Sequence, residues 1–257
     1  MGITASQVSE LRAQTGVGLM ECKKALVDSN GDIEAALKAL REKGLAKAQK
    51  KAERSTNEGK VFVAESADNS EAVIIELNCE TDFVANNEAF AELGNKIAQL
   101  SLENKLTDVD AVNGADINGQ SVKDHISEYV LKLGENISVS KVSAFYNTSA
   151  VSSYIHMNGK IGVLVSFSAN LDKELSKSIA MQIAAVSPSY VRPEEVDSSE
   201  LDNERDIIKK QAIQEGKPEN IVDKIVEGRL NKYYKEVCLL EQPFIKEDKK
   251  SVKEVLP

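Results

Sequence analysis

The stretch Val151-Ser152-Ser153-Tyr154-Ile155-His156-Met157-Asn158-Gly159-Lys160-Ile161-Gly162-Val163-Leu164-Val165 decides the architecture. Apolar and β-branched residues flank Asn158-Gly159, a dipeptide that marks a two-residue type I′ hairpin turn. Two antiparallel strands are therefore expected, Val151 to Met157 and Lys160 to Val165. Directly after them Leu175, Ile179, Ile183 and Val186 recur at helical spacing. An earlier segment has the same build. Val61-Phe62-Val63 and Ala72 to Leu77 read as strands joined across Asp68-Asn69-Ser70, and Phe90, Leu93, Ile97 and Leu100 mark an amphipathic helix behind them. The core is thus a weak internal repeat, two αβ subdomains joined through the helical stretch around His125 to Leu133, which makes the fold class α+β.

Ahead of the repeat, the first 44 residues read as three short helices. Val8 and Leu11 mark the first, closed by Thr15-Gly16-Val17-Gly18. The second runs from Leu19 to Asp28 and ends at Asn30-Gly31, where one or both residues take the left-handed conformation. Asp32 caps the third, whose Ile33, Ala36, Leu37 and Leu40 precede Gly44 at its expected end. Lys43 to Arg54 is basic and poor in apolar residues, and reads as a solvated linker. Past the repeat, Pro188 and Pro193 close a helix. Leu201, Ile207, Ile208 and Ile213 mark a second, Gly216-Lys217-Pro218 breaks it, and Ile221, Val222, Ile225, Val226 and Leu230 begin a third. Two helices around one tight turn make an antiparallel hairpin, whose apolar stripe either zips the helices together or faces a partner.

Composition narrows the function. The 257 residues carry 32 basic and 41 acidic side chains, a net charge of -9, with 42% apolar residues and no Trp. That is enough apolar material for a core, and the negative surface disfavours a direct nucleic-acid partner. Cys22, Cys79 and Cys238 are far apart and form no CxxC pair, which argues against a disulfide scaffold or zinc site and fits a reducing cytoplasm. No apolar run approaches the ~20 residues of a membrane span, and no charged-then-apolar leader is read at the start. Met1-Gly2-Ile3-Thr4-Ala5-Ser6 has the letters of N-myristoylation, but Thr4 with Gln7 is a capping box that starts a helix. Catalytic components are missing. His125 and His156 sit in no ligand spacing, Gly59-Lys60 and Gly159-Lys160 lack the rest of a phosphate loop, and Asp108-Val109-Asp110 fails as a calcium loop at Val112. Neither a cofactor nor a metal is expected, and the chain is read as a binding protein and not an enzyme.

One connection departs from the repeat. Between strand Ala72 to Leu77 and the Phe90 helix lies Asn78-Cys79-Glu80-Thr81-Asp82-Phe83-Val84-Ala85-Asn86-Asn87, where the second half has only the small polar residues from Ser166 to Asn170. A large aromatic beside a carboxylate on such a loop either folds back as a core plug or anchors into a partner's pocket.

Cys79-Glu80-Thr81-Asp82-Phe83-Val84-Ala85 resembles a signature of bacterial elongation factor Ts. So does Thr15-Gly16-Val17-Gly18-Leu19-Met20-Glu21-Cys22-Lys23-Lys24-Ala25-Leu26, with Gly31-Asp32-Ile33-Glu34 behind it. The likeness continues, in order, through Ile161-Gly162-Val163-Leu164-Val165, Gly216-Lys217-Pro218, Glu227-Gly228-Arg229 and Gln242-Pro243-Phe244. The resemblance implies a guanine-nucleotide exchange factor for elongation factor Tu, acting on the GDP-bound GTPase. It implies an N-terminal ubiquitin-associated-like three-helix bundle, a core of two related subdomains with antiparallel sheets, and an inserted helical hairpin used for dimerisation in some members. On that plan residues 1–55 are the bundle and basic linker, 56–140 the first core subdomain and 141–196 the first part of the second. Residues 197–230 are the hairpin, through which a homodimer would form, and 231–257 the return to the second subdomain. The family usually continues beyond Gln242-Pro243-Phe244 through a further strand and a helical module, so a chain stopping at Val255-Leu256-Pro257 reads as cut short.

By the same likeness Thr81, Asp82, Phe83 and Val84 would insert beside the partner's magnesium site, with Phe83 as the wedge. Arg12, Leu19, Met20 and Lys23 would dock the bundle on the partner's nucleotide domain. Met20 lies about 100° around its helix from the stripe Leu19, Cys22 and Leu26 that faces the bundle, and is either an adaptable contact or core. His156, on the strand face of Ser152 and Tyr154, is either a surface residue or a contact to another domain of the partner. An adaptor or chaperone that binds the GTPase without exchange is the competing reading, and neither nucleic acid nor membrane is expected as a partner.

Overall fold

The computed structural model describes residues 2–257, which form two compact units, one running to Leu171 and one from Asp172. The first opens with α1 (Ala5–Thr15), started by the Thr4–Gln7 capping box and closed by Gly16 in the left-handed conformation at φ 64°. Next come α2 (Leu19–Asp28) and α3 (Ile33–Lys51), and both Asn30 and Gly31 between them have positive φ. Val8, Leu11, Val17, Cys22, Leu26, Ala36 and Leu40 form the bundle's buried core. Helix α3 does not end at Gly44. The stretch read as a linker is its last two turns, because Ala46, Ala48 and the long-chain Lys and Gln residues are good helix formers. Gly44 is instead a close-approach site, where an added Cβ would lie 3.0 Å from the carbonyl oxygen of Ser127.

Strands β1 (Glu58–Glu65) and β2 (Ala72–Cys79) pair in antiparallel register, Phe62 opposite Ile75. The connection after β2 holds the four-residue helix α4 (Asp82–Ala85) and leads into α5 (Glu88–Glu103). Helices α6 (Val109–Gly114) and α7 (Val122–Leu133) follow. Next is β3 (Ile137–Phe145), which completes a three-stranded sheet of order β1-β2-β3. This strand is additional to the strand pairs expected. Its alternation runs Ile137, Val139, then Val142, Ala144, out of step because a bulge opposite Glu76/Leu77 adds a residue. Phe62, Ile75 and Leu77 from the sheet pack with Phe90, Leu93 and Ile97 of α5 and Val130 of α7 in one buried core.

The second hairpin, β4 (Ala150–Ile155) and β5 (Gly162–Phe167), lies against the first. Val151 N–H donates to Asn69 O at 2.8 Å, and Val61 N–H to Gly159 O at 2.8 Å. Its turn is not type I′. Gly159 has φ 72° but Asn158 is not left-handed, and Gly159 N–H donates to His156 O at 2.7 Å. That is a type I turn closed by one left-handed residue, with His156 N–H donating to Ile161 O at 2.9 Å across its base. The first hairpin repeats it with Asn69 at φ 56° and Asn69 N–H donating to Ser66 O at 3.0 Å, so the internal repeat extends to its turns.

The second unit contains α8 (Lys173–Val186), α9 (Ser198–Gln214) and α10 (Glu219–Val237). Ile208 and Ala212 of α9 and Val222 and Leu230 of α10 are buried between the hairpin's helices, whereas Ile207, Ile213 and Ile221 are exposed. Beyond Gln242 the chain forms β6 (Pro243–Phe244), β7 (Glu247–Ser251) and α11 (Val252–Val255). Strand β7 is all polar, Glu247-Asp248-Lys249-Lys250, and carries no alternating signal. A buried amide pair organises this region. Gln182 donates to Gln242 Oε1 at 3.1 Å and accepts from Ile245 N–H at 2.8 Å.

Candidate partner-binding site

The connection after β2 is a mounted aromatic. Thr81 is the N-cap of α4, its hydroxyl accepting from Val84 N–H at 3.4 Å, and Asn87 caps α5 by accepting from Ala89 N–H at 2.9 Å. Val84 and Ala85 turn inward and are buried, while Asp82 is exposed and Phe83 is 84% exposed. The core-plug alternative for Phe83 is thereby excluded. Of the four loop residues, Asp82 and Phe83 are presented outward, and Thr81 and Val84 hold the mount.

Beneath the mount two carboxylates bind across each other. Glu135 accepts from Glu80 N–H at 3.1 Å and Thr81 N–H at 2.9 Å through one oxygen, and from the Thr81 hydroxyl at 2.6 Å through the other. Glu80 accepts from Asn136 N–H at 2.7 Å and lies 3.4 Å from Arg54. The Asn136 N–H holds the Glu80 carboxyl below its ordinary value of 4.5; burial opposes it, and the Arg54 charge adds a smaller lowering. Asn136 in turn donates to Arg54 O at 3.0 Å, which ties the loop to the end of α3. Burial, and then the negative charge of Glu135, push the Cys79 thiol up to about 11, so it stays protonated and donates to Thr81 O at 3.2 Å. The sequence reading misses Glu135 and Asn136, because their partners lie more than fifty residues away.

The turn containing His156 stands at the same end of the first hairpin as this loop. Lys160 pairs with Glu58 at 2.6 Å, and Glu58 is the register partner of Cys79. The Glu58 carboxylate raises the Lys160 pKa, and the Asp82 charge adds to it. His156 is exposed, its Nδ1 3.1 Å from the Tyr154 hydroxyl, and lies in the turn instead of on the strand face expected for it. Its neighbour Met157 is 95% exposed. The bundle positions lie on other elements. Arg12 in the last turn of α1 and Lys23 on α2 are exposed, and Met20 is 73% exposed, which rules out a core role. Leu19 is 50% exposed and does not line the bundle with Cys22 and Leu26. It is the first residue of α2, and Val17, from the loop before it, is the residue buried in the bundle core.

Among the described residues no group of three or more His, Cys, Asp or Glu could hold a metal ion. No helix among them is long and apolar enough to cross a membrane.

The sequence pattern of the family described as Elongation factor TS matches residues 80–257, from Glu80 onward. An elongation factor Ts from Aquifex aeolicus (strain VF5) is 47% identical, over an alignment covering 100% of this chain and 92% of that protein. The chain belongs to the elongation factor Ts family. Family membership makes it a non-catalytic factor and agrees with the α+β build of N-terminal helices followed by two antiparallel hairpins. The alignment with the Aquifex aeolicus elongation factor Ts spans the bundle as well as the residues matched by the family pattern.

Proposed function

We propose that this chain is the guanine-nucleotide exchange factor of elongation factor Tu, binding the GDP form and promoting GDP release to support translation elongation. The observation that carries the reading is Phe83, an aromatic 84% exposed on a fixed mount in a chain of this family. The backbone that carries it is already fixed by its caps, so little loop ordering is left to oppose burial of the ring in a partner's pocket. Phe83 enters an apolar pocket beside the partner's magnesium, with Asp82 next to it, and disturbs the groups that hold the cation. The metal neutralises the charge of the GDP phosphates, so its loss weakens their attachment. No bond in the nucleotide is made or broken. Exchange is a coupling of two binding equilibria, and GDP weakens the hold of this chain by the factor by which the chain weakens GDP.

Arg12, Leu19, Met20 and Lys23 supply a second contact on the partner's nucleotide domain, and His156 a third, at the end of the hairpin that carries Lys160. Three free, buried cysteines fit a cytoplasmic protein. Stopped-flow release of fluorescent GDP from elongation factor Tu tests the proposal. The chain accelerates release, and Phe83→Ala reduces the acceleration at least about tenfold, the cost of losing an interface anchor. Melting of the variant stays within about 0.5 kcal/mol of the parent, as for an exposed side chain. Binding without acceleration by the unmutated chain would make it an adaptor.

A further inference from the structure

We infer that Glu135 is a positioning residue for exchange: by accepting three hydrogen bonds from Glu80 and Thr81, it holds α4 in the orientation that presents Phe83. The inference rests on the exchange reading of the Phe83 loop. Its support is geometric. Helix α7 ends at Gly134, left-handed at φ 82°, and Glu135 follows at the junction with β3. Its two oxygens are both used, at 2.9 and 3.1 Å to successive backbone N–H groups and at 2.6 Å to the Thr81 hydroxyl.

That hydroxyl cannot serve both its neighbours in any other way. Its proton goes to Glu135, which leaves its lone pairs for Val84 N–H, the bond that starts α4. Glu135 therefore fixes both the path of the chain into the helix and the cap that begins it. Among the described residues no other side chain bonds to the N–H groups of Glu80 or Thr81. The four-residue helix α4 is far too short to hold itself in water. Without the carboxylate the loop samples other orientations, and the fraction of complexes with Phe83 inserted falls with the population of the competent one. The bundle contacts sit on α1 and α2 and are untouched by the change.

Two variants separate positioning from general damage. Glu135→Ala removes all three bonds. In Glu135→Gln the amide oxygen still accepts from the two backbone N–H groups, while the NH₂ faces the Thr81 hydroxyl, so partial rescue is expected. In the free protein, hydrogen exchange at the amides of Glu80, Thr81 and Val84 rises in Glu135→Ala and less in Glu135→Gln, while β2 and α5 keep their protection. With elongation factor Tu and GDP, the maximal rate of GDP release falls about tenfold in Glu135→Ala, as expected on losing hydrogen bonds to a charged group. The half-saturating concentration changes by less than about threefold, because the other contacts remain. In a Phe83→Ala background the same substitution adds no further loss, since both act through one side chain.

Unchanged amide protection, an undiminished maximal rate, or full additivity with Phe83→Ala would each overturn the inference. If the unmutated chain fails to accelerate release, the exchange reading falls, and the amide protection still decides whether Glu135 holds the loop. If Glu135→Ala does not fold, Glu135→Gln decides by the same three measurements, with smaller expected changes.

Discussion

At the scale of single residues, the site separates what is presented from what presents it. Phe83 and Asp82 face outward, and bonds among Thr81, Glu80, Glu135 and Asn136 fix the chain beneath them. Glu80 makes this arrangement sensitive to acid. Its folded pKa is depressed below 4.5, chiefly by the Asn136 N–H, so its contribution to stability is fully present above that value and is lost as pH falls through the folded value. Glu80→Gln can still accept from Asn136 but carries no charge for Arg54. The variant is therefore less stable than the parent at neutral pH, and the difference closes as the pH falls from neutral through the folded value of the parent's carboxyl. Thermal melts of both proteins across that range check this. A difference that persists unchanged at low pH would contradict the role of the charge. Other carboxylates titrate over the same range, which is why the difference between the proteins is the quantity to follow.

At the scale of elements, period and turn chemistry made most of the fold legible. Apolar spacing located both strand pairs, and Asn30-Gly31 marked a real left-handed turn. Two glycines show where that legibility ends. Gly44 looked like a helix terminus, yet it lies inside α3 and admits a carbonyl of α7, a long-range contact with no local signature. Gly94 on α5 is the same device in the core, for a Cβ there would lie 2.2 Å from the Phe62 ring. Phe62 is buried and sits 6.1 Å, centroid to centroid, from Phe90, so the ring has no open space to retreat into. Strand β3 was hidden for a different reason, since its bulge breaks alternation midway. The site divides likewise. The loop was readable from its composition, whereas Glu135 and Asn136 become partners of Glu80 and Thr81 only when β3 pairs with β2. Gly94→Ala tests the close packing. Ala normally gains about 1 kcal/mol over Gly inside a helix. Here overpacking outweighs that gain, and urea unfolding should give a net loss of about 1–3 kcal/mol. Combining it with Phe62→Leu should recover much of the loss, because the two sites share one volume.

At the scale of the whole molecule, the negative charge and the basic end of α3 point to opposite partners until their contacts are traced. Lys43, Lys47, Lys50, Lys51 and Arg54 fall within one short stretch, a pattern that in isolation suits a phosphate backbone. In the fold Lys43 and Lys47 both pair with Glu21, Lys51 donates to Gly134 O, and Arg54 pairs with Glu80. Exposed pairs of this kind add little stability, but each places a carboxylate or carbonyl where a phosphate would have to sit. With a net charge of -9 around them, the four cations so paired have little capacity left to displace counterions from a nucleic acid. A short fluorescent single-stranded RNA titrated with the chain at about 0.15 M salt should therefore show no change in anisotropy up to micromolar protein, below the range of ordinary non-specific binding. Glu21→Gln frees Lys43 and Lys47 without adding a positive charge, and if pairing is what silences the row, weak salt-sensitive binding should emerge in that variant first. Micromolar binding by the unmutated chain, steeply weakened by salt, would show that the row remains available and that the contacts of α3 do not suppress it.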